Sequence, residues 1–346
     1  MIKFHIIRDY RNFLYSSVKP PDSGVDLNAL QHHLETAGVN CQIWNFRNID
    51  LTQDWAGALV IYQSSEDRGL FYKDYIEDVI LALKKRGAIL IPDFFAFRCH
   101  HNKSFQELIR EIYLPDSKIK SRVFGCLEDL EREIETIEYP CVIKTAAGAK
   151  STGVQLAKTK SELRRVARRM SATIDPVELL KDLLKRLIRK DYVPVSQHKR
   201  KFLVQTFLPG LSGDYKVLVY GNKAFAIERN VAPKDFRASG SGLLIVDQPI
   251  SDVIIRYAFD LARKFEVPFG AFDIAMHDGK PELIEFQFVT FGTTTLFISN
   301  RYYEHNGSEI HELQGNLELE HVLAEALIAY AEKLPKKANT QLMATL

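Results

Sequence analysis

The chain has 346 residues, enough for about two domains at roughly 150 residues each. Hydrophobic residues at 46% and charged residues at 26% exclude wholesale disorder. Lys and Arg total 46 against 44 Asp and Glu, and a formal net charge of +2 gives no electrostatic reason to expect nucleic acid or a membrane surface as partner.

The first residues, Met1 to Arg8, read as a strand, because a signal peptide needs a longer apolar stretch and a small-residue cleavage site. The longest uncharged run, Phe286 to Asn300, holds several polar residues and is too short to cross a bilayer. Cys41, Cys99, Cys126 and Cys141 are widely spaced and form no C-x-x-C pair, which suits buried thiols in a reducing, cytoplasmic setting.

In chain order, Ile2 to Ile7 reads as a strand, and Leu27, Leu30 and Leu34 space one face of a helix. Cys41 to Phe46 and Ala58 to Tyr62 are strand-like, Tyr72 to Lys85 has helical periodicity, and Gly87 to Pro92 is another apolar strand. Alternating strands and helices predict a small parallel sheet, an N-terminal α/β domain over residues 1–100. Ligands of such sheets gather at the carboxyl ends of strands, so Ser64 to Asp67 and Asp93 to His101 are candidate site loops.

A second unit spans 101–335. Helices are expected over Lys103 to Ile112 and Glu128 to Ile137, then a strand, a small-residue loop and a second strand over Tyr139 to Val154. Ser161 to Met170 and Val177 to Lys190 read as helices; the latter carries Leu179, Leu180, Leu183, Leu184 and Leu187 on one broad apolar face, its basic side reading as solvated. Lys201 to Phe288 is mostly β with one helix over Val253 to Phe265, and a last helix covers Leu317 to Lys333. Residues 336–346 form a polar tail.

Two segments carry chemistry. Ala146 to Gly153 lies between strands, unlike a phosphate loop that opens a helix. Its small residues can bring backbone N–H groups against phosphate, with Lys150, Ser151 and Thr152 adding donors; a plain hairpin turn explains it equally. Lys144 shares a strand face with Val142, and a buried ammonium needs an anion nearby.

The second segment is a hairpin. Ala271 to Met276 and Glu282 to Phe288 flank the turn His277-Asp-Gly-Lys280. Keeping Phe272, Ile274 and Met276 on one face with Ile284, Phe286 and Phe288 requires odd-numbered residues to oppose odd-numbered ones. That register clusters Asp273, Glu285 and Gln287, an oxygen set suited to Mg²⁺. A two-residue Asp278-Gly279 turn would oppose Asp273 to Ile284, so a three-residue loop or a bulge is expected. Cys99-His100-His101 would suggest a metal cluster, but adjacent residues on an extended chain point to opposite faces, so no zinc is expected there.

The order of these features resembles the ATP-grasp superfamily from about His100 to Glu332. The resemblance implies an α/β N-terminal domain, a β-rich lid over about 122–205 and a larger C-terminal α+β domain. It would give Lys103 and Lys144 to ATP phosphates, the Ala146 to Gly153 segment the place of the phosphate lid, Gln205, Phe207 and Leu208 the adenine, Asp214 the ribose, and Asp273, Glu285 and Gln287 the metal. Ala226 to Asn230 followed by Asp235-Phe-Arg237 is similar to ribosomal-protein glutamate ligases, which would make Arg229 and Arg237 contacts to phosphate and acyl substrate.

Three positions and one segment depart from the pattern. Gln287 replaces the usual asparagine, Phe272 replaces the arginine of D-alanine–D-alanine ligases, Ser239 stands where asparagine is usual, and Val289 to Thr295 lacks a proline-glycine pattern. The implied activity is ATP-dependent joining of a carboxylate to an amine through an acyl phosphate, with ATP and one or two Mg²⁺ (or Mn²⁺) as cofactors and small-molecule substrates as partners. The alternatives are a kinase on the same fold and a non-catalytic ATP-binding protein.

Overall fold

The computed structural model describes residues 2–15, 24–147, 153–230, 243–246 and 248–334. The candidate residues Lys150, Ser151, Thr152 and Arg237, together with Ser239 and the 336–346 tail, lie outside them.

The first unit alternates as its periodicities predict. It runs β1 (Lys3–Arg8), α1 (Leu27–Thr36), β2 (Asn40–Asn45), β3 (Leu59–Ile61), α2 (Phe71–Lys85) and β4 (Ile89–Ile91). The strands form a four-stranded sheet in the order β2-β1-β3-β4, and every pairing is parallel. Asp93 to His101 is not a loop. It holds a short helix, α3 (Phe94–Cys99), whose N-cap Asp93 accepts the Phe95 N–H at 3.2 Å.

Next come α4 (Lys103–Tyr113), β5 (Ser121–Phe124), α5 (Leu127–Glu133), β6 (Cys141–Thr145), β7 (Val154–Ala157), α6 (Lys160–Ser171), α7 (Pro176–Ile188) and β8 (Phe202–Thr206). Their four strands form a sheet in the order β5-β8-β6-β7 with a core of its own, including Phe124, Leu130, Ile143, Leu163, Phe202 and Val204.

The rest of the chain supplies β9 (Gly213–Tyr220), β10 (Lys223–Asn230), β11 (Leu243–Ile245), α8 (Asp252–Lys264), β12 (Phe269–His277), β13 (Lys280–Gln287), α9 (Thr294–Ile298), β14 (Arg301–His305), β15 (Ile310–Gln314) and α10 (Leu319–Lys333). These strands make a seven-stranded sheet, β13-β12-β9-β10-β14-β15 with β11 paired to β10. One hydrophobic core joins this sheet to the N-terminal one, running from Phe4 and Ile61 to Phe286 and Leu327. β5, β14, β15 and α9 are additions to the sequence reading.

Two helices invert the expected relation between polarity and burial. In α4 the residues Ser104, Gln106, Glu107, Ile109 and Arg110 are buried, whereas Leu108 is 45% and Ile112 69% exposed. In α7 the whole leucine face is exposed, Leu187 at 83%, and Asp182 is the buried residue, hydrogen-bonded by the Tyr192 hydroxyl at 2.5 Å. Asp175 caps α7 through the N–H groups of Val177 and Glu178.

Candidate functional site

The β12–β13 hairpin sets the site. Asp273 lies directly opposite Glu285, Phe272 opposite Phe286 and Ala271 opposite Gln287, so the two carboxylates share a face. The register then shifts between Asp273 and Ile274, Ile274 facing Leu283 and His277 facing Lys280. The turn is therefore the two-residue Asp278-Gly279, with positive φ at both positions, and a bulge at Ile284 restores the register at the carboxylates.

β13 is an edge strand, and α4 covers it. Arg110 donates to the carbonyls of Leu283 and, at 2.9 Å, Ile284; Gln106 donates to the carbonyl of Phe286 at 3.0 Å. These are carbonyls that a bulged edge leaves without ladder partners, so the polar stripe of α4 is buried because the strand beneath it is polar there. The first residue of the helix, Lys103, donates to Glu285 at 2.5 Å.

The same helix touches the other small sheet. Glu107 accepts from Arg110 at 2.9 Å and from the Ser121 hydroxyl at 2.8 Å, and the Gln205 amide donates to that hydroxyl at 3.0 Å. Lys103 N–H bonds the Ala146 carbonyl at 2.7 Å, at the end of β6. Burial raises the Glu107 carboxyl, but Arg110 and Lys144 more than offset it and hold it below the usual value. Lys144 sits opposite Leu203, on the face that Val142 shares with Gln205. Burial pushes its ammonium down to about 8; Glu107 and Glu285 oppose that shift, while Lys103 and Arg110 reinforce it.

A strip of charge crosses the large sheet beside Glu285. Arg229 on β10 pairs with Asp214 on β9, and Lys216, two residues along β9, pairs with Asp273 on β12. Arg229 Nε donates to Asp214 Oδ1 at 2.8 Å and Nη2 closes on Oδ2; Nη2 also lies 2.8 Å from Asp273 Oδ2. Lys216 Nζ is 3.5 Å from Asp273 Oδ1. Gly213 permits this approach, since a Cβ there would stand 2.2 Å from the Arg229 carbonyl oxygen.

Asp214, which the resemblance gives to the ribose, is fully buried with both oxygens on Arg229, because the β9–β10 register sets the two opposite each other. Burial and the neighbouring Asp273 carboxylate raise it to about 7 against the pull of Arg229. Asp273 goes the other way: burial raises it, but Lys216 and Arg229 hold it below the ordinary carboxylate value.

Sequence reasoning missed Lys216, Gln106, Glu107 and Arg110 as parts of this site. The signal was present: Lys103, Gln106, Glu107 and Arg110 recur at i, i+3, i+4 and i+7, a polar stripe at helical spacing. Among the predicted residues, Lys103, Lys144, Asp273 and Glu285 come together, with Arg229 on Asp273. Gln205 is buried on β8, and Phe207 and Leu208 follow that strand.

The hard carboxylate oxygens of Asp273 and Glu285 on a rigid hairpin fit Mg²⁺, with Gln287 two residues further on the same face. Lys103 and Arg229 occupy those oxygens in the structure, so an ion would replace cationic side chains rather than enter a bare carboxylate pair.

Comparison with protein-family models and with curated proteins finds no match. Solved structures do match along nearly the whole chain. D-cycloserine synthetase DcsG superposes with a TM-score of 0.54 at 12% identity, covering 95% of this chain and 99% of its own. The ATP-grasp ligase PsnB, complexed with a phosphomimetic variant of a minimal precursor, Mg and ADP, superposes with a TM-score of 0.51 at 14% identity, covering 95% and 98%. An ATP-grasp RimK domain protein from Sphaerobacter thermophilus gives 0.49 at 12% identity, over 94% and 99%. The fold is the ATP-grasp fold it shares with PsnB: an N-terminal α/β unit followed by a small and a large sheet. Among the described residues, no helix is long and apolar enough to cross a membrane.

Proposed function

We propose that this protein is an ATP-dependent ligase joining a carboxylate to an amine, forming an amide or peptide bond with release of ADP and phosphate. The observation that carries this reading is the opposed Asp273–Glu285 pair with Lys103, Lys144 and Arg229 gathered around it. Carboxylates that suit a divalent cation, ringed by cations that suit phosphate, are what phosphoryl transfer from a nucleotide requires.

A substrate carboxylate oxygen attacks the γ-phosphorus as the bond to the ADP oxygen breaks, giving an acyl phosphate. The amine then attacks the acyl carbon, phosphate leaves with the bonding pair, and the nitrogen loses a proton. Lys103 and Lys144 neutralise charge on the phosphates, Lys103 moving from Glu285 to do so. Asp273 and Glu285, with Gln287 beside them, would hold Mg²⁺, which supplies further neutralisation when bound. Arg229, oriented by Asp214, steadies the transferring group together with Arg237. Gln205, Phe207 and Leu208 line the nucleotide side, and Lys150, Ser151 and Thr152 supply phosphate donors.

Trapping tests the reaction class. With a carboxylate that stimulates ATP consumption and hydroxylamine in place of the amine, the product should be a hydroxamate, with ADP and phosphate. Asp273→Asn and Arg229→Ala should both depress its formation. A stable phosphate ester of an alcohol, with no hydroxamate from any stimulating carboxylate, would make the protein a kinase.

A further inference from the structure

A second cluster of donors lies apart from the hairpin. We propose that Glu66, His100 and His101 form a binding site for a divalent transition cation of the Zn²⁺ type, with its remaining position open to water or a substrate group. One ligand atom from each residue falls within 4.8 Å of the others, and among the described residues this is the one such group of His, Cys, Asp and Glu.

The distances favour an ion over hydrogen bonds. Glu66 Oε1 is 3.4 Å from His100 Nε2 and 3.5 Å from His101 Nε2, longer than the usual 2.7–3.2 Å of a hydrogen bond. Ligand bonds of about 2.0–2.1 Å in a tetrahedron place neighbouring ligand atoms about 3.3 Å apart, close to both spacings. The imidazole rings stand at 80° with centroids 4.6 Å apart, so they converge without stacking.

The backbone produces this convergence, and here the sequence expectation fails. Alternation holds for an extended chain, but His101 has φ 53°, the left-handed region, which turns its side chain to the side His100 occupies. Cys99, the third member of the sequence triplet, stays out of the cluster, buried in the core. His100 is 3% exposed, and its Nδ1 lies 2.8 Å from the Ser64 hydroxyl, an outer partner of the kind that orients metal-binding histidines. The His100 carbonyl accepts from Lys73, which further fixes the turn. Imidazole nitrogens select a transition cation over Mg²⁺, separating this site chemically from the Asp273–Glu285 pair.

The test uses the full-length protein stripped with chelator and titrated with Zn²⁺ against a chromogenic competitor, and separately with Co²⁺. One equivalent of Zn²⁺ should bind, and Co²⁺ should give the intense visible absorption of a four-coordinate site. Glu66→Gln, at a half-exposed residue, and His101→Ala should each weaken Zn²⁺ by more than the roughly 10–100-fold that loss of an outer partner costs. Asp273→Asn should bind Zn²⁺ as the unaltered protein does. Absence of stoichiometric Zn²⁺, wild-type affinity in both Glu66→Gln and His101→Ala, or loss of the ion in Asp273→Asn alone would overturn the assignment.

Discussion

Lys144 gives the sharpest test of nucleotide binding, because its depressed ammonium makes affinity depend on pH with a calculable slope. In the free protein its charge is lost as pH rises through about 8. A phosphate against the ammonium should return it toward the ordinary lysine value of about 10.4, so nucleotide binds the protonated form and takes up protons on binding. ATP affinity should then fall about eightfold between about pH 7.5 and about pH 9, a range in which ATP itself is fully ionised, equivalent to roughly 1.2 kcal/mol. Uptake should rise from about 0.2 proton at the lower pH to about 0.9 at the higher. Calorimetric titration of ATP and Mg²⁺ in buffers of different ionisation enthalpy reads both quantities. Lys144→Arg, whose guanidinium stays charged throughout, should bind with a flat pH profile whatever its absolute affinity. A flat profile in the unaltered protein, or the same slope in Lys144→Arg, would refute the reasoning.

Other perturbations read the surrounding structure. Arg110→Met strands the buried Glu107 and the Leu283 and Ile284 carbonyls, and should cost about 3–5 kcal/mol in denaturant melts; adding Glu107→Gln should recover part of it. Asp273→Asn removes the carboxylate that helps raise Asp214, so the Asp214 titration near 7 should move down in a carboxyl NMR titration. Leu180→Gln with Leu184→Gln should change stability by less than about 1 kcal/mol, because both side chains are exposed on α7.

The hairpin was legible because parity is strict in a strand: one slip would expose Phe272 or Phe286, so the pattern dictated both the pairing of Asp273 with Glu285 and the need for a bulge. Hydrophobic periodicity also located the helices. It could not say which face of α4 or α7 is buried, since burial follows the surface a helix meets. α4 meets the carbonyls of a bulged edge, and a stripe of Lys, Gln, Glu and Arg is what satisfies them. The pairing of Asp214 with Arg229 was not legible because it rests on a cross-strand neighbour 15 residues away, and the approach of His100 to His101 rests on one dihedral angle.

The two hydrophobic cores remain separate: α4 packs Ile109 into the larger one, and it meets the small sheet through the Glu107–Ser121 hydrogen bond and the Lys103 N–H on the Ala146 carbonyl. Parting the small sheet from α4 would therefore expose less apolar surface than disrupting either core. Such an opening carries a small heat-capacity change, whereas unfolding carries a large one. The two processes would respond to different variables. The angle of the small sheet would answer chiefly to ionic strength and bound anions, and the integrity of each half chiefly to temperature.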